Sequence, residues 1–182
     1  LAYLSHYAHL NKSFVVTLDD DMRHFFFQFF IALEDQWLCV WYLVMRFDGV
    51  LWLVAICAKT MNMGARNASK IACNFAQEWL EAWSRKMDDF CEGLIPTQHS
   101  DFQHGYATRL AALGRVQARP FWAGVYTDNF DFSFMASQLA ATGTLIWKSM
   151  NADSNIWLQD HVQYGTCVTF IGGRCVNGAG FG

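Results

Sequence analysis

The strongest constraint on the fold is a long apolar segment, residues 37–58, with the sequence WLCVWYLVMRFDGVLWLVAICA. Its length would suit a membrane-spanning helix. In such a helix Arg46 and Asp48 would lie near the middle of the bilayer, where each costs about 2.5–3.5 kcal/mol and offsets the gain from the apolar residues. The alternative is a β-hairpin of two apolar strands joined by the turn RFDG, in which Gly49 accepts a positive φ. We favour the hairpin, so the chain is expected to build a sheet, and a membrane is not an expected partner.

The composition is typical of a folded intracellular protein. Of the 182 residues, 53% are hydrophobic and 16% are aromatic, which excludes a disordered chain. The six cysteines include no CxxC pair, and the first residues lack the pattern of a secretory signal. We therefore expect one domain over residues 1–182, in the cytoplasm or nucleus. Because the chain begins without Met and ends in a glycine-rich run, this domain is expected to be a fragment of a longer protein.

The charge balance restricts the kind of partner that the chain can bind alone. The formal net charge is −3 at pH 7. Binding to nucleic acid relies on clustered Lys and Arg that contact phosphates. Any polynucleotide would therefore have to be held partly by basic residues of another domain.

The order of the predicted elements indicates an α+β fold. Apolar runs predict the strands, and apolar residues that recur every three to four positions predict the helices. Because the strands occur mainly in hairpins, we expect a mostly antiparallel sheet with helices packed on one face. The predicted strands are 13–18, a hairpin within 37–58, 121–127, 130–134, 155–159 and 167–173; the predicted helices are 22–34, 68–89, 106–117 and 136–150, with loops at 59–67 and 91–105.

Acidic residues follow two of the predicted strands. Asp19, Asp20 and Asp21 follow the first strand, and Asp128 lies in a predicted Asp128–Asn129 turn. If these strands are neighbours, their carboxylates converge at one edge of the sheet, where Mg²⁺ finds the oxygen ligands that it prefers. Two plainer interpretations remain open. Asp21 is also a good helix N-cap, and Asp128 with Asn129 also suits an ordinary two-residue turn.

Taken in order, four segments resemble the motifs of the palm domain of reverse transcriptases, the RNA-directed DNA polymerases of retroelements. Residues 21–31, DMRHFFFQFFI, resemble motif A, and residues 62–75, NMGARNASKIACNF, resemble motif B. The sequence VYTDNF at 125–130 resembles the YxDD hairpin of motif C. Residues 155–173 resemble the stretch from motif D into motif E. The resemblance covers nearly the whole chain.

This resemblance implies template-directed nucleotidyl transfer by the two-metal mechanism. Asp21 and Asp128 would be the ligands of Mg²⁺ or Mn²⁺, and Asn129 stands where the family has its second motif C aspartate. The chemistry expected of such ions is activation of a 3′-hydroxyl and stabilisation of the leaving pyrophosphate. The implied partners are a nucleic acid primer–template and a dNTP.

Four further residues acquire roles only through the resemblance. Phe26 would lie against the sugar of the incoming nucleotide, as the aromatic residue of motif A does in the family. Gly64 and Asn67 match the motif B loop that supports the templating base. His161 stands where the family has a late lysine that is a proton donor to pyrophosphate.

A second interpretation follows from the features that the resemblance lacks. Asn129 removes one motif C carboxylate, and residues 1–182 include no counterpart of the fingers and thumb that hold the substrates in the family. Fingers and thumb domains, or other protein subunits, are therefore expected partners. In this alternative the chain is a catalytically inactive, palm-like structural or interaction subunit. A membrane-embedded subunit that uses residues 37–58 as a span is the weakest alternative.

Overall fold

The fold is described from a computed structural model of the chain, for residues 15–93, 119–135, 137–160, 162–170 and 173–176. Every strand pair in these ranges is antiparallel, and two long helices accompany the strands, so the fold is α+β as predicted. The elements in chain order are strand β1 (Val16–Asp21), two short 3-10 helices (Phe25–Gln28 and Leu33–Cys39), strands β2 (Val40–Phe47) and β3 (Val50–Cys57), helix α1 (Ala68–Gly93), strands β4 (Phe121–Tyr126) and β5 (Asn129–Phe134), helix α2 (Ser137–Asp153), and strands β6 (Gln163–Gly165), β7 (Cys167–Phe170) and β8 (Gly173–Val176).

A four-stranded sheet with the order β4-β5-β1-β6 forms the centre of the described fold. Strand β1 is an inner strand, with Val16 opposite Phe134 and Asp21 opposite Asn129 on β5. Because successive side chains of a strand point to opposite faces, this register divides the central strands into an apolar and a polar face. The apolar face carries alternate residues from Leu18 on β1 and from Phe130, Phe132 and Phe134 on β5; the polar face carries the residues between them.

Both long helices cover the apolar face of the sheet. Trp83 of α1 and Trp147 of α2 are fully buried, and their ring centroids lie 4.4 Å and 5.0 Å from that of Phe132. The Trp83 indole nitrogen also donates to the carbonyl of Gly143 at 3.0 Å, which joins the two helices. Removing a ring from such a core costs about 3–5 kcal/mol. The predicted arrangement of helices on one face of an antiparallel sheet is therefore confirmed.

Strands β2 and β3 form a separate two-stranded ribbon within the apolar segment 37–58. Its turn residues are Asp48 and Gly49, with φ values of 49° and 80°, as a tight hairpin turn of this type requires. The predicted hairpin is confirmed, so this segment does not form the membrane-spanning helix that was its alternative. In the part of the chain that the structure describes, no helix combines the length and apolar character needed to cross a membrane.

Several predicted elements differ from the structure in kind or in bounds. The strand predicted at 13–18 is β1, Val16–Asp21, and the strand predicted at 167–173 covers β7, Cys167–Phe170, and the first residue of β8. The predicted helix at 22–34 is replaced by two short 3-10 helices, since His24 adopts a left-handed φ of 51° that interrupts helical geometry. The predicted strand at 155–159 is reduced to a bridge between Leu158 and Met22. The helices predicted at 68–89 and 136–150 are present, each extended by a few residues; the predicted helix at 106–117 and the loop from residue 94 to 105 lie outside the described residues.

Candidate functional site

The pairing of β1 with β5 brings acidic residues of both strands onto the polar face of the sheet. Asp21 lies directly opposite Asn129, and Asp19 lies directly opposite Asp131. Directly opposed residues of an antiparallel pair project from the same face, with their Cβ atoms about 4.5–5.5 Å apart. Three carboxylates and an amide therefore share one small area of the polar face. We call these four residues, Asp19, Asp21, Asn129 and Asp131, the acidic cluster.

The carboxylate of Asp21 is held by the segment that follows α2. The Gln159 side-chain nitrogen donates to Asp21 Oδ2 at 2.5 Å, and the Gln159 backbone nitrogen donates to the Asp21 carbonyl at 2.9 Å. The other carboxylate oxygen, Oδ1, is buried and has no hydrogen-bond partner among the described residues. Burial raises the pKa of Asp21 to about 6, and repulsion from Asp128 and from the two preceding aspartates adds to the effect. This orphaned oxygen is the best candidate ligand atom of the site.

Asp128 lies beside the end of β1, in the β4–β5 turn. Its carbonyl accepts a hydrogen bond from the Met22 backbone nitrogen at 3.1 Å, so the turn is fixed against the residue that follows Asp21. Burial raises the pKa of Asp128. The predicted pair of sequence-distant carboxylates, Asp21 and Asp128, is therefore brought to the same sheet edge.

The β4–β5 turn begins one residue earlier than predicted. Tyr126 pairs with Asn129, so the turn residues are Thr127 and Asp128, and Asn129 is the first residue of β5. Thr127 has a φ of 59°, which is rare for a β-branched residue and costs about 1–3 kcal/mol. The prediction of an Asp128–Asn129 turn was wrong because it followed turn chemistry alone, whereas the register of the flanking strands decides the turn.

The side-chain amide of Asn129 donates a hydrogen bond to a neighbouring carboxylate. Only acceptors face one end of its amide, so that end is assigned to the nitrogen, which donates to Asp19 Oδ1 at 2.7 Å and to the Asp20 carbonyl at 3.2 Å. This hydrogen bond lowers the pKa of Asp19 by favouring its ionised form. Burial and repulsion from Asp20 have the larger, opposite effect and raise the pKa of Asp19 to about 6. Asn129 therefore stabilises the acidic cluster, whatever else it contacts.

Asp131 is the member of the acidic cluster that the sequence prediction missed. Its side chain is only 2% exposed, and its Oδ1 has no hydrogen-bond partner in the described ranges. Burial raises its pKa to about 6, with repulsion from Asp19 adding to the effect. The prediction placed Asn129 in the turn and began the strand at 130, so it did not put Asp131 on the same face as Asn129; in the structure Asn129 is the first residue of β5 and the strand period gives the two residues one face. Gln159 was also missed, because nothing in a single sequence places it beside Asp21.

Asp20 has a different role, because it projects to the opposite, apolar face. Its Oδ2 accepts a hydrogen bond from the Trp147 indole nitrogen at 2.8 Å, and its Oδ1 accepts one from the Asp21 backbone nitrogen at 2.9 Å. Burial raises the pKa of Asp20, against the effect of the Trp147 bond. Asp20 thus fixes β1 against α2 and is unsuited to bind a ligand on the polar face.

The other residues predicted from the resemblance lie on separate elements. Phe26 is buried in the first 3-10 helix, with its ring centroid 5.8 Å from that of Phe25. Gly64 lies in the loop before α1, where a Cβ atom would meet nothing within 4 Å. Asn67 immediately precedes α1, and its carbonyl accepts the Ile71 backbone nitrogen at 3.0 Å. His161 lies outside the described residues, so its predicted role remains a prediction.

The donor atoms near Asp21 suit a hard cation held by few protein ligands. Within the described ranges, no group of three or more His, Cys, Asp or Glu side chains is arranged to hold a metal ion. Mg²⁺, however, is often bound by one or two carboxylates that leave the remaining positions to water and to substrate phosphates. Asp21 Oδ1 and the carboxylate of Asp128, whose negative charge acts on Asp21, offer two such ligands.

Comparisons with protein-family models and with curated proteins found no match to this chain. The acidic cluster and the position of Asp128 beside it are therefore the features that bear on its function.

Proposed function

We propose that the chain is a reverse-transcriptase-like palm that performs template-directed nucleotidyl transfer. The observation that carries this proposal is the juxtaposition of Asp21 and Asp128, which are far apart in sequence. Asp21 lies at the end of an inner strand, and the carbonyl of Asp128 accepts the backbone nitrogen of the next residue at 3.1 Å. The order of the motifs implies this arrangement, in which the end of a central strand lies beside a hairpin turn that carries an aspartate.

Each residue of this site has a distinct task under the proposal. Asp21 Oδ1 and the Asp128 carboxylate would hold Mg²⁺ or Mn²⁺. The chemistry supplied by the bound metal is activation of a primer 3′-hydroxyl and stabilisation of the departing pyrophosphate. Gln159 keeps Asp21 in one orientation through its 2.5 Å hydrogen bond. Because the pKa of Asp21 is about 6, the carboxylate is mostly ionised and ready to bind a cation at neutral pH.

Metal binding tests the site directly. Free Mn²⁺ would be measured by electron paramagnetic resonance during titration of the full chain and of Asp21→Asn and Asp128→Asn. We expect each substitution to weaken Mn²⁺ binding at least about tenfold, since loss of even an outer partner of a metal ligand has effects of this size. The matched control is Asp153→Asn, which changes an exposed carboxylate at the end of α2. Unchanged Mn²⁺ binding in both site variants would refute the proposed ligands.

Activity is tested separately with a primed RNA homopolymer, Mn²⁺ and the complementary dNTP. The proposal predicts primer extension that is lost in Asp21→Asn and in Asp128→Asn and retained in Asp153→Asn. Because other domains hold the substrates in the family, binding of the primer–template is measured in parallel by fluorescence anisotropy. Extension that persists in both site variants would contradict the assigned roles.

A second candidate is an inactive, palm-like structural or interaction subunit. The observation that favours it is the side chain of Asn129, whose amide is bound to Asp19 at 2.7 Å where an active palm would offer a further carboxylate. The same two assays separate the candidates. A chain that neither binds Mn²⁺ through Asp21 and Asp128 nor extends a primer, yet forms a stable assembly, supports the second candidate.

A further inference from the structure

The β2–β3 hairpin exposes an unusual amount of apolar surface. Tyr42, Leu51 and Leu53 are 67%, 63% and 70% exposed, although they belong to an ordered ribbon. An isolated two-stranded hairpin is only marginally stable in water, and needs a third strand or a packed face to persist. Among the described elements, β2 and β3 pair only with each other. The hairpin therefore calls for a partner surface.

The hairpin has two faces, which the strand register defines. Directly paired residues project together, so Tyr42, Val44, Arg46, Leu51 and Leu53 lie on one face, which we call the Tyr42 face. The other face, which we call the Trp52 face, carries alternate residues of both strands and is less exposed in most of its large side chains. The members of the Trp52 face are Trp41, Leu43, Met45, Phe47, Val50, Trp52, Val54 and Ile56.

We propose that the Tyr42 face is the interface of a homodimer, in which two copies of this chain pack their hairpins together about a two-fold axis. The exposed side chains of the Tyr42 face amount to about 400–500 Å² of surface per copy. Two such faces would bury about 800–1,000 Å² in total, the size of a weak and reversible contact. A patch of this size lies within the range of about 300–600 Å² for the largest apolar patch of a monomer, and such a patch is often functional.

The charges at the hairpin tip favour a second copy of this chain as the binding partner of the Tyr42 face. Arg46 and Asp48 are the only charged residues between 40 and 57, and their charges have opposite signs. Neither residue forms an ion pair with a described residue. When two Tyr42 faces meet with their tips side by side, Arg46 of each copy lies near Asp48 of the other. A two-fold contact must be self-complementary in this way. Because the two charges cancel, the tip offers no net attraction to nucleic acid or to an anionic membrane.

The dimer is tested with the full chain by sedimentation velocity over a wide concentration range. We expect a reversible monomer–dimer equilibrium. Leu53→Glu, on the Tyr42 face, should weaken dimerisation at least about tenfold, because it buries a charge at the centre of the interface. The matched control is Val50→Glu on the opposite face of the same strand, which should leave the dimer intact. Thermal unfolding of both variants shows whether either substitution disrupts the fold.

A charge exchange at the tip supplies a test that does not depend on apolar contacts. Arg46→Glu should weaken the dimer by repulsion from Asp48 of the second copy, and the double substitution Arg46→Glu with Asp48→Lys should recover it. A chain that stays monomeric at every concentration overturns the proposal. Assemblies larger than a dimer also overturn it, because they would indicate pairing of the open strand edges. A monomer that sediments with phosphatidylcholine vesicles overturns it as well. Equal losses in Leu53→Glu and Val50→Glu also overturn it. None of these readouts depends on the proposed polymerase function.

Discussion

Substitution of Asp131 by Asn should stabilise the protein at neutral pH. Asp131 is 2% exposed, faces Asp19 across the β1–β5 ladder, and has a carboxylate oxygen with no hydrogen bond among the described residues. Its pKa is raised from an ordinary 3.8 to about 6, mainly by burial. Since one pKa unit corresponds to about 1.4 kcal/mol, ionised Asp131 costs about 3 kcal/mol at pH 7. The variant's amide must find its own partners, so we expect a net gain of about 1–2 kcal/mol.

The stabilisation by Asp131→Asn should increase as the pH rises. The folded state keeps the Asp131 proton up to about pH 6, whereas the unfolded chain releases it near pH 3.8. Between these values the folded state binds more protons, so raising the pH lowers the stability of the unsubstituted protein. The advantage of Asp131→Asn is therefore small at pH 4 and complete above about pH 6.

Urea unfolding followed by tryptophan fluorescence, at pH 4 and pH 7.5 with a chelator present, measures this difference. Asp89→Asn is the control, since it alters an exposed carboxylate of α1 and should change neither value beyond about 0.5 kcal/mol. Destabilisation by Asp131→Asn at pH 7.5 would refute the reasoning. So would a gain of equal size at both pH values, because the burial of an ionised Asp131 carboxylate could not then be its cause.

Three further substitutions test other parts of the structure. Asn129→Asp should destabilise the metal-free protein by about 1–3 kcal/mol at pH 7, since a carboxylate replaces a hydrogen-bond donor, and Mn²⁺ should restore part of the loss in thermal unfolding. Trp147→Phe should cost about 1–3 kcal/mol in urea unfolding, because Asp20 loses a buried bond of 2.8 Å. Gly143→Ala should cost about 1–3 kcal/mol in the same assay, because its Cβ atom would lie 2.4 Å from the Phe134 ring.

The parts of the fold that followed from local sequence were predicted correctly. The hairpin within 37–58 follows from two apolar runs around an Asp-Gly turn, and the structure places positive φ values at Asp48 and Gly49. Helix α1 follows from apolar residues recurring every three to four positions. In both segments the local signal and the tertiary environment favour the same structure, so a single sequence is sufficient.

The candidate site was only half predictable, because it depends on long-range register. Sequence reasoning placed Asp21 and Asp128 at the ends of two strands, and both lie at the same sheet edge in the structure. It did not place Asp131 opposite Asp19 or Gln159 beside Asp21, since both contacts require the alignment of segments more than 100 residues apart. Extension of β1 through three aspartates also contradicts β propensity, and pairing with β5 overrides that local preference.

The acidic cluster imposes a conflict that the fold alone does not resolve. Asp19, Asp21 and Asp131 all have a pKa of about 6, so near pH 7 each one carries a charge that burial disfavours. Natural sequences keep such conflicts mainly where function requires them. Asn129 relieves one carboxylate with a donor, and Gln159 relieves another. Under the proposed function, a cation held by Asp21 Oδ1 and Asp128 would offset the charge of Asp21, so Mn²⁺ should raise the stability of the folded protein most at neutral pH and little below about pH 4.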